Sequence, residues 1–102
     1  MLYVIATLEV APGTRSAFLA EFAKVVPLVR AEAGCIEYGP AVDAEEGIAS
    51  QTRMGPDRVT IVEKWESIEA LRAHDAAPHM HAYRARVKDY LRGREIRVLA
   101  PA

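Results

Sequence analysis

The chain holds one cysteine, Cys35, among its 102 residues, so no disulfide can close within it. Its neighbours in Gly34-Cys35-Ile36-Glu37-Tyr38 supply neither a base nor an electropositive setting. Cys35 therefore reads as a small apolar residue at the start of a strand, not as a nucleophile. Charge of one sign is missing too. The 13 Lys and Arg stand against 14 Asp and Glu, a net charge of −1, which argues against nucleic acid or an anionic membrane surface as partner. No apolar run approaches the roughly 18 residues of a membrane span. The first residues enter a strand-like pattern with no charged leader or cleavage site, so a cytoplasmic protein is expected. Cofactor signatures are absent: no Gly-rich dinucleotide turn, no phosphate-loop lysine, no Cys-x-x-Cys pair and no serine elbow. If the chain is an enzyme, it is expected to work without an organic cofactor.

What is present is ordinary for one globular domain spanning residues 1–102, with 51% hydrophobic and 26% charged residues. Residues 2–10 alternate as a strand, with Leu2, Val4, Leu8 and Val10 on one face and Tyr3 and Ile5 on the other. Pro12-Gly13 turns the chain, and Thr14 is placed to cap a helix. Phe18, Phe22, Val25, Val26 and Val29 form its core-facing stripe, Pro27 is expected to kink it near Lys24, and Gly34 ends it. Residues 35–42 read as a second strand and 58–66 as a third. Between them Asp43 to Asp57 is turn-rich, with room for a short strand at 48–53. Ser67 caps a helix with Ile68, Ala70 and Leu71, and Pro78 opens a further helical segment. Met80, Tyr83, Val87, Tyr90 and Leu91 make its apolar stripe, Gly93 closes it, and residues 94–100 form a last strand.

The resulting order, β-α-β-β-α-β with the second helix broken at Ala77-Pro78, is the α+β plan of the ferredoxin-like split βαβ, with an antiparallel sheet. Two helices cover one face of such a sheet. The other face also carries apolar side chains, Tyr3 and Ile5 against Leu2 and Val4, and Thr60 and Val62 against Val59 and Ile61. A monomer would leave that face wet, so a homodimer burying sheet against sheet, a dimeric α/β barrel, is expected.

The chemistry concentrates between Glu63 and Tyr83. His74, His79 and His81 crowd together, but His79 and His81 project about 200° apart on a helix and His74 lies across the Pro78 break. No shared metal site is expected, and His81 reads as a surface group. His79 and Tyr83 share one helical face. His74 or His79 suits the role of general base near neutral pH. Trp65 is either core or a flat wall for a planar ligand. Glu63 lies two residues before it on an otherwise apolar strand face. A buried carboxylate there is costly unless paired or protonated, so either Arg84 or Arg86 pairs it or it sits in a polar pocket. Tyr38 and Tyr83 offer hydroxyls for a ligand oxygen.

These residues also carry a family resemblance. The segments are Met1-Leu2-Tyr3-Val4-Ile5-Ala6, Pro12-Gly13, Phe22 to Pro27, Glu32-Ala33-Gly34-Cys35, Tyr38 and Pro40 to Asp43. The most specific are Glu63-Lys64-Trp65-Glu66-Ser67, Ala73-His74 and Pro78 to Tyr83. In that order and spacing the chain resembles the antibiotic biosynthesis monooxygenase family of dimeric α/β barrels, and within it the small quinol monooxygenases. The resemblance implies cofactor-free oxygenation of a polyhydroxy-aromatic by O₂, in a pocket between sheet and helices. It implies that Trp65 lines that pocket and that His74, His79 and Tyr83 face it. Haem-degrading relatives carry an asparagine on the first strand where this chain has Ala6 and Thr7, which turns the expectation away from haem. The expected function is thus a cytoplasmic homodimeric monooxygenase taking a small aromatic quinol and O₂. His79 or His74 is its base, and Trp65, Tyr38, Tyr83 and Glu63 are its binding groups. The same barrel also suits an isomerase or degradative enzyme for a small polar metabolite, or a ligand-binding stress module without turnover.

Overall fold

The computed structural model describes all residues, Met1–Ala102, as four strands and three helices in the order expected. They are β1 (Leu2–Val10), α1 (Arg15–Arg30), β2 (Cys35–Ala41), β3 (Arg58–Trp65), α2 (Ile68–Asp75), α3 (Pro78–Val87) and β4 (Leu91–Leu99). The strands form one antiparallel sheet in the order β2-β3-β1-β4. This is the α+β, ferredoxin-like arrangement. No helix is long and apolar enough to cross a membrane.

Alternation along the central strands decides which side chains go in. Val4, Ala6, Leu8 and Val10 of β1 and Val59, Ile61, Glu63 and Trp65 of β3 are buried on the helix side. Leu2 shares their parity but is only half-buried at the strand start. From above, α1 buries Phe18, Phe22, Val25 and Val29, and α3 buries Met80, Tyr83 and Val87. The helix α1 runs through Pro27 without a break, and the Ala31 amide still donates to the Pro27 carbonyl at 3.2 Å.

Local sequence signals match the structure at some positions and not at others. Ser67 caps α2, its side chain accepting from the Ala70 amide at 3.1 Å. Thr14 occupies the N-cap position of α1, but its hydroxyl donates back to the Ala11 carbonyl at 2.7 Å and caps nothing. The helical stripe expected through Leu91 stops at Val87. Tyr90 belongs to a turn and Leu91 already pairs with Val10, so Gly93 lies inside β4 opposite Glu9. No strand forms at 48–53. The segment is instead a loop tied down by Asp43, whose carboxylate accepts from the Met54 and Gly55 amides at 2.9 Å, with Arg53 donating to the Ala44 carbonyl at 2.6 Å. Within it the Ile48 amide donates to Gln51 Oε1 at 2.9 Å, so a side-chain acceptor holds an amide that a ladder would have used.

The sheet is not evenly covered. On β4, Ile96 and Val98 pair with Ala6 and Val4 and so share their inner face. Yet they remain about half exposed, at 53% and 49%, because the helices lie over β1, β2 and β3. On the outer face Leu99 and Val62 are also exposed.

Candidate functional site

A cavity of about 140 Å³ lies between the sheet and the helices, and 12 of its 17 lining residues are apolar. Val4, Ala6 and Leu8 form its floor, Phe22 and Met80 close it from above, and its wall reaches the surface at Arg94 and Ile96 of β4 and at Asp75 of α2. Asp75, Arg84 and Arg94 bring charge to its less buried edge, and four buried groups with chemistry line it: Tyr38, Glu63, His74 and Tyr83.

Each is held by a different element. Tyr38, on β2, pairs with Glu63 on β3, which puts both side chains inward. Phe22 stacks on Tyr38, with ring centroids 5.6 Å apart, and meets Tyr83 edge-on at the same distance. One α1 side chain thus fixes both phenol rings. Neither hydroxyl bonds to another protein group. Since no buried side-chain oxygen or nitrogen lacks a partner, both hydroxyls reach the cavity. Burial, more than the nearby Glu63 charge for Tyr38, pushes both phenols well above their usual range, so both remain protonated donors near neutral pH.

Glu63 is buried without a cation at hydrogen-bond distance. Arg84 pairs with Asp75 and Arg86 with Glu21, so neither expected partner reaches it. Instead the Trp65 indole N–H donates to Glu63 Oε1 at 2.9 Å, and His74 Nε2 stands 4.0 Å from the same oxygen. Burial raises the Glu63 carboxyl above the usual carboxylate range, and the indole bond opposes it.

His74, on the last turn of α2, lies between aromatic neighbours. Its ring centroid is 4.6 Å from that of Trp65 and 5.5 Å from that of Tyr38. Its Nδ1 lies 2.9 Å from Glu32 Oε2, and His79 Nε2 lies 2.8 Å from the same oxygen. Both imidazoles are thus engaged with one carboxylate. No group of three or more His, Cys, Asp or Glu side chains is arranged to hold a metal ion.

Of the residues singled out in the sequence, four share the cavity wall and two do not. Trp65 is fully buried behind the wall; it holds Glu63 and backs His74 and presents no face to the cavity. His79 is off the wall, on the far side of Glu32. His81 is exposed, as expected. Glu32 itself carried no local signal. It lies 42 and 47 residues from its two partners, and only the folded chain brings them together. Arg94 was equally silent, because its parity with Leu8 becomes readable only once β4 starts at Leu91.

The sequence pattern of the antibiotic biosynthesis monooxygenase family matches residues 1–86. The chain belongs to that family. Membership places it among monooxygenase-type oxidoreductases. The protein called Probable quinol monooxygenase YgiN in Escherichia coli strain K12 is 46% identical over 103 aligned positions, covering 99% of this chain and 98% of its own. Among solved structures, Rv0793 from Mycobacterium tuberculosis superposes with a TM-score of 0.79 at 31% identity, covering 99% of this chain and 94% of that one. PA3566 from Pseudomonas aeruginosa gives 0.80 at 27% identity, covering 99% and 93%.

Proposed function

We propose that the chain is a homodimeric, cytoplasmic monooxygenase that oxidises a small quinol-type aromatic to a quinone with O₂ and without an organic cofactor. The observation that carries this reading is the cavity itself. Its volume of about 140 Å³ suits one small aromatic ring, since a dry apolar cavity of roughly 150 Å³ takes benzene. Its buried wall offers such a ring an imidazole, two protonated phenols and the Glu63 carboxyl.

The roles follow from where the atoms stand. His74 Nε2 takes a proton from a substrate hydroxyl. Tyr38 and Tyr83 donate to the substrate oxygens and hold the developing anion. The buried Glu63 carboxyl lies ready to meet a second substrate oxygen. The resulting electron-rich ring passes electrons to O₂, and the apolar wall keeps water from the intermediates. A quinol that takes one oxygen atom into its ring and releases the other as water becomes a hydroxyquinone. The substrate supplies every electron, so no reductant is required. Trp65 and His79 serve as supports in this scheme. The protein named as a probable quinol monooxygenase is similar over the whole chain, which favours a quinol over other aromatics.

The homodimer rests on β4. Its inner-face Ile96 and Val98 and outer-face Leu99 are about half exposed, and Ile96 and Arg94 form the cavity mouth. A second copy lying there buries apolar surface and closes the mouth in one step.

The test is oxygen uptake with a panel of quinols, with ¹⁸O₂ used to follow the inserted atom. We expect uptake above autoxidation, one labelled oxygen in the product, and its loss in His74→Ala. Uptake no faster than the buffer control sinks the reading. Turnover without oxygen supports an isomerase or degradative enzyme instead, and binding without product supports a ligand-binding module.

A further inference from the structure

We infer that Glu32 is a positioning residue. It fixes the proton of His74 on Nδ1, leaves the Nε2 lone pair facing the cavity, and is itself clamped by His79. The observation is the convergence of two imidazoles from two helices on one carboxylate oxygen, with His74 Nδ1 at 2.9 Å and His79 Nε2 at 2.8 Å from Glu32 Oε2. A carboxylate can only accept, so each ring nitrogen that faces it carries a hydrogen. A neutral imidazole has one such hydrogen. His74 therefore has its lone pair on Nε2, which stands 4.0 Å from Glu63 Oε1, beyond hydrogen-bond distance.

The carboxylate is held in place before any ligand arrives. The Glu32 amide donates to the Val29 carbonyl at 2.9 Å, and the Cys35 amide donates to the Glu32 carbonyl at 3.2 Å. Gly34 makes this turn at φ +83°, and its missing Cβ lets Ala70 of α2 approach. The same close approach sets α2, and with it His74, at its distance from Glu32. The Glu32 side chain is 14% accessible, and that of His74 is 7%. An unpaired carboxylate so placed would be costly, and two imidazole donors offset the cost. Glu32 does not line the cavity, so it acts through His74 and not on a ligand. When His74 takes a proton, the fixed charge behind it stabilises the imidazolium, as the carboxylate of a hydrolase triad does.

Only the rate arm of this inference rests on the proposed oxidation; the tautomer arm needs no substrate. Two-bond ¹H–¹⁵N correlation of the imidazoles in ligand-free protein reads the tautomers directly. We expect His74 protonated at Nδ1 and His79 at Nε2, with Glu32→Gln mixing or inverting the His74 pattern. In quinol turnover we expect Glu32→Gln to lower kcat about a hundredfold while KM changes less than about twofold. Glu32→Asp should recover part of kcat. A wild-type His74 protonated at Nε2 overturns the inference with no variant required. It also falls if Glu32→Gln leaves the imidazole spectrum or kcat unmoved, or, should that variant fail to fold, if Glu32→Asp does so. Absence of quinol turnover in the wild type refutes the proposed oxidation instead, and the spectra then decide Glu32 alone.

Discussion

The two ends of the cavity are built in opposite ways. At the β3 end, Trp65 with Glu63 and His74 with Glu32 form two hydrogen-bonded pairs, each at 2.9 Å, and all four are largely buried within one chain. At the β4 end, Ile96 and Val98 face inward yet stay about half exposed, and Arg94 has no ion-pair partner. The first end is preorganised by the monomer. The second lacks a cover that the chain's own helices could provide. A single copy thus supplies the chemical groups, while exclusion of water is left to whatever lies over β4.

Variants at the two ends should separate these tasks. The largest effect is expected at the closed end. His74→Ala should lower kcat for quinol oxidation by about 10²–10⁴-fold, the usual range for a lost general base, while the circular dichroism spectrum stays that of the wild type. A rate within a few-fold of the wild type would move the base elsewhere. Next comes the hinge of that end. An alanine at Gly34 would be strained at φ +83° and would place its Cβ 2.5 Å from that of Ala70. We expect a stability loss of about 2–4 kcal/mol in urea unfolding. Gly13 has a similar φ of +78° but open space around it, so Gly13→Ala should cost only about 1 kcal/mol. Equal losses would show that strain alone, without the contact, accounts for both.

The open end should respond differently. Val98→Glu adds charge to an exposed apolar position away from the cavity wall. In sedimentation velocity it should shift the dimer towards monomer and leave secondary structure intact, and an unchanged sedimentation coefficient would count against the β4 face as the contact. The smallest effect concerns Glu63. Burial holds its carboxyl above the ordinary range in the folded chain. The unfolded chain therefore loses that proton first, near the ordinary value of roughly 4.3. Stability from this site is full below that pH and is lost as pH rises through the folded value. Glu63→Gln keeps an acceptor for the indole but carries no charge. It should melt above the wild type at about pH 7 and lose that advantage towards about pH 4. A melting difference independent of pH would mean that Glu63 titrates alike in the folded and unfolded chain.

Much of this was legible in the sequence. Period-two alternation in residues 2–10 and 58–66 placed the strands and their inner faces. Helical spacing from Phe18 to Val29 placed α1, and Ser67 and Pro78 marked the starts of α2 and α3. The ordered segments, Tyr38 on the second strand and the set from Glu63 to Tyr83, indicated the family and named Tyr38, Glu63, His74 and Tyr83, which the fold brings to one cavity. These signals are local: each depends on backbone geometry over a few residues.

What only the tertiary structure decided depends on distance through space. Trp65 and Glu63 share strand parity, but packing turned the indole into a donor for the carboxylate and kept it off the wall. His79 and Tyr83 share a helical face, yet a carboxylate 47 residues from His79 in the chain drew that imidazole aside while Tyr83 entered the cavity. The bond from Glu32 to His74 joins a turn to a helix across 42 residues. No periodicity reports such a contact, because its stability comes from desolvating a charge among partners that meet only after the sheet and helices have packed.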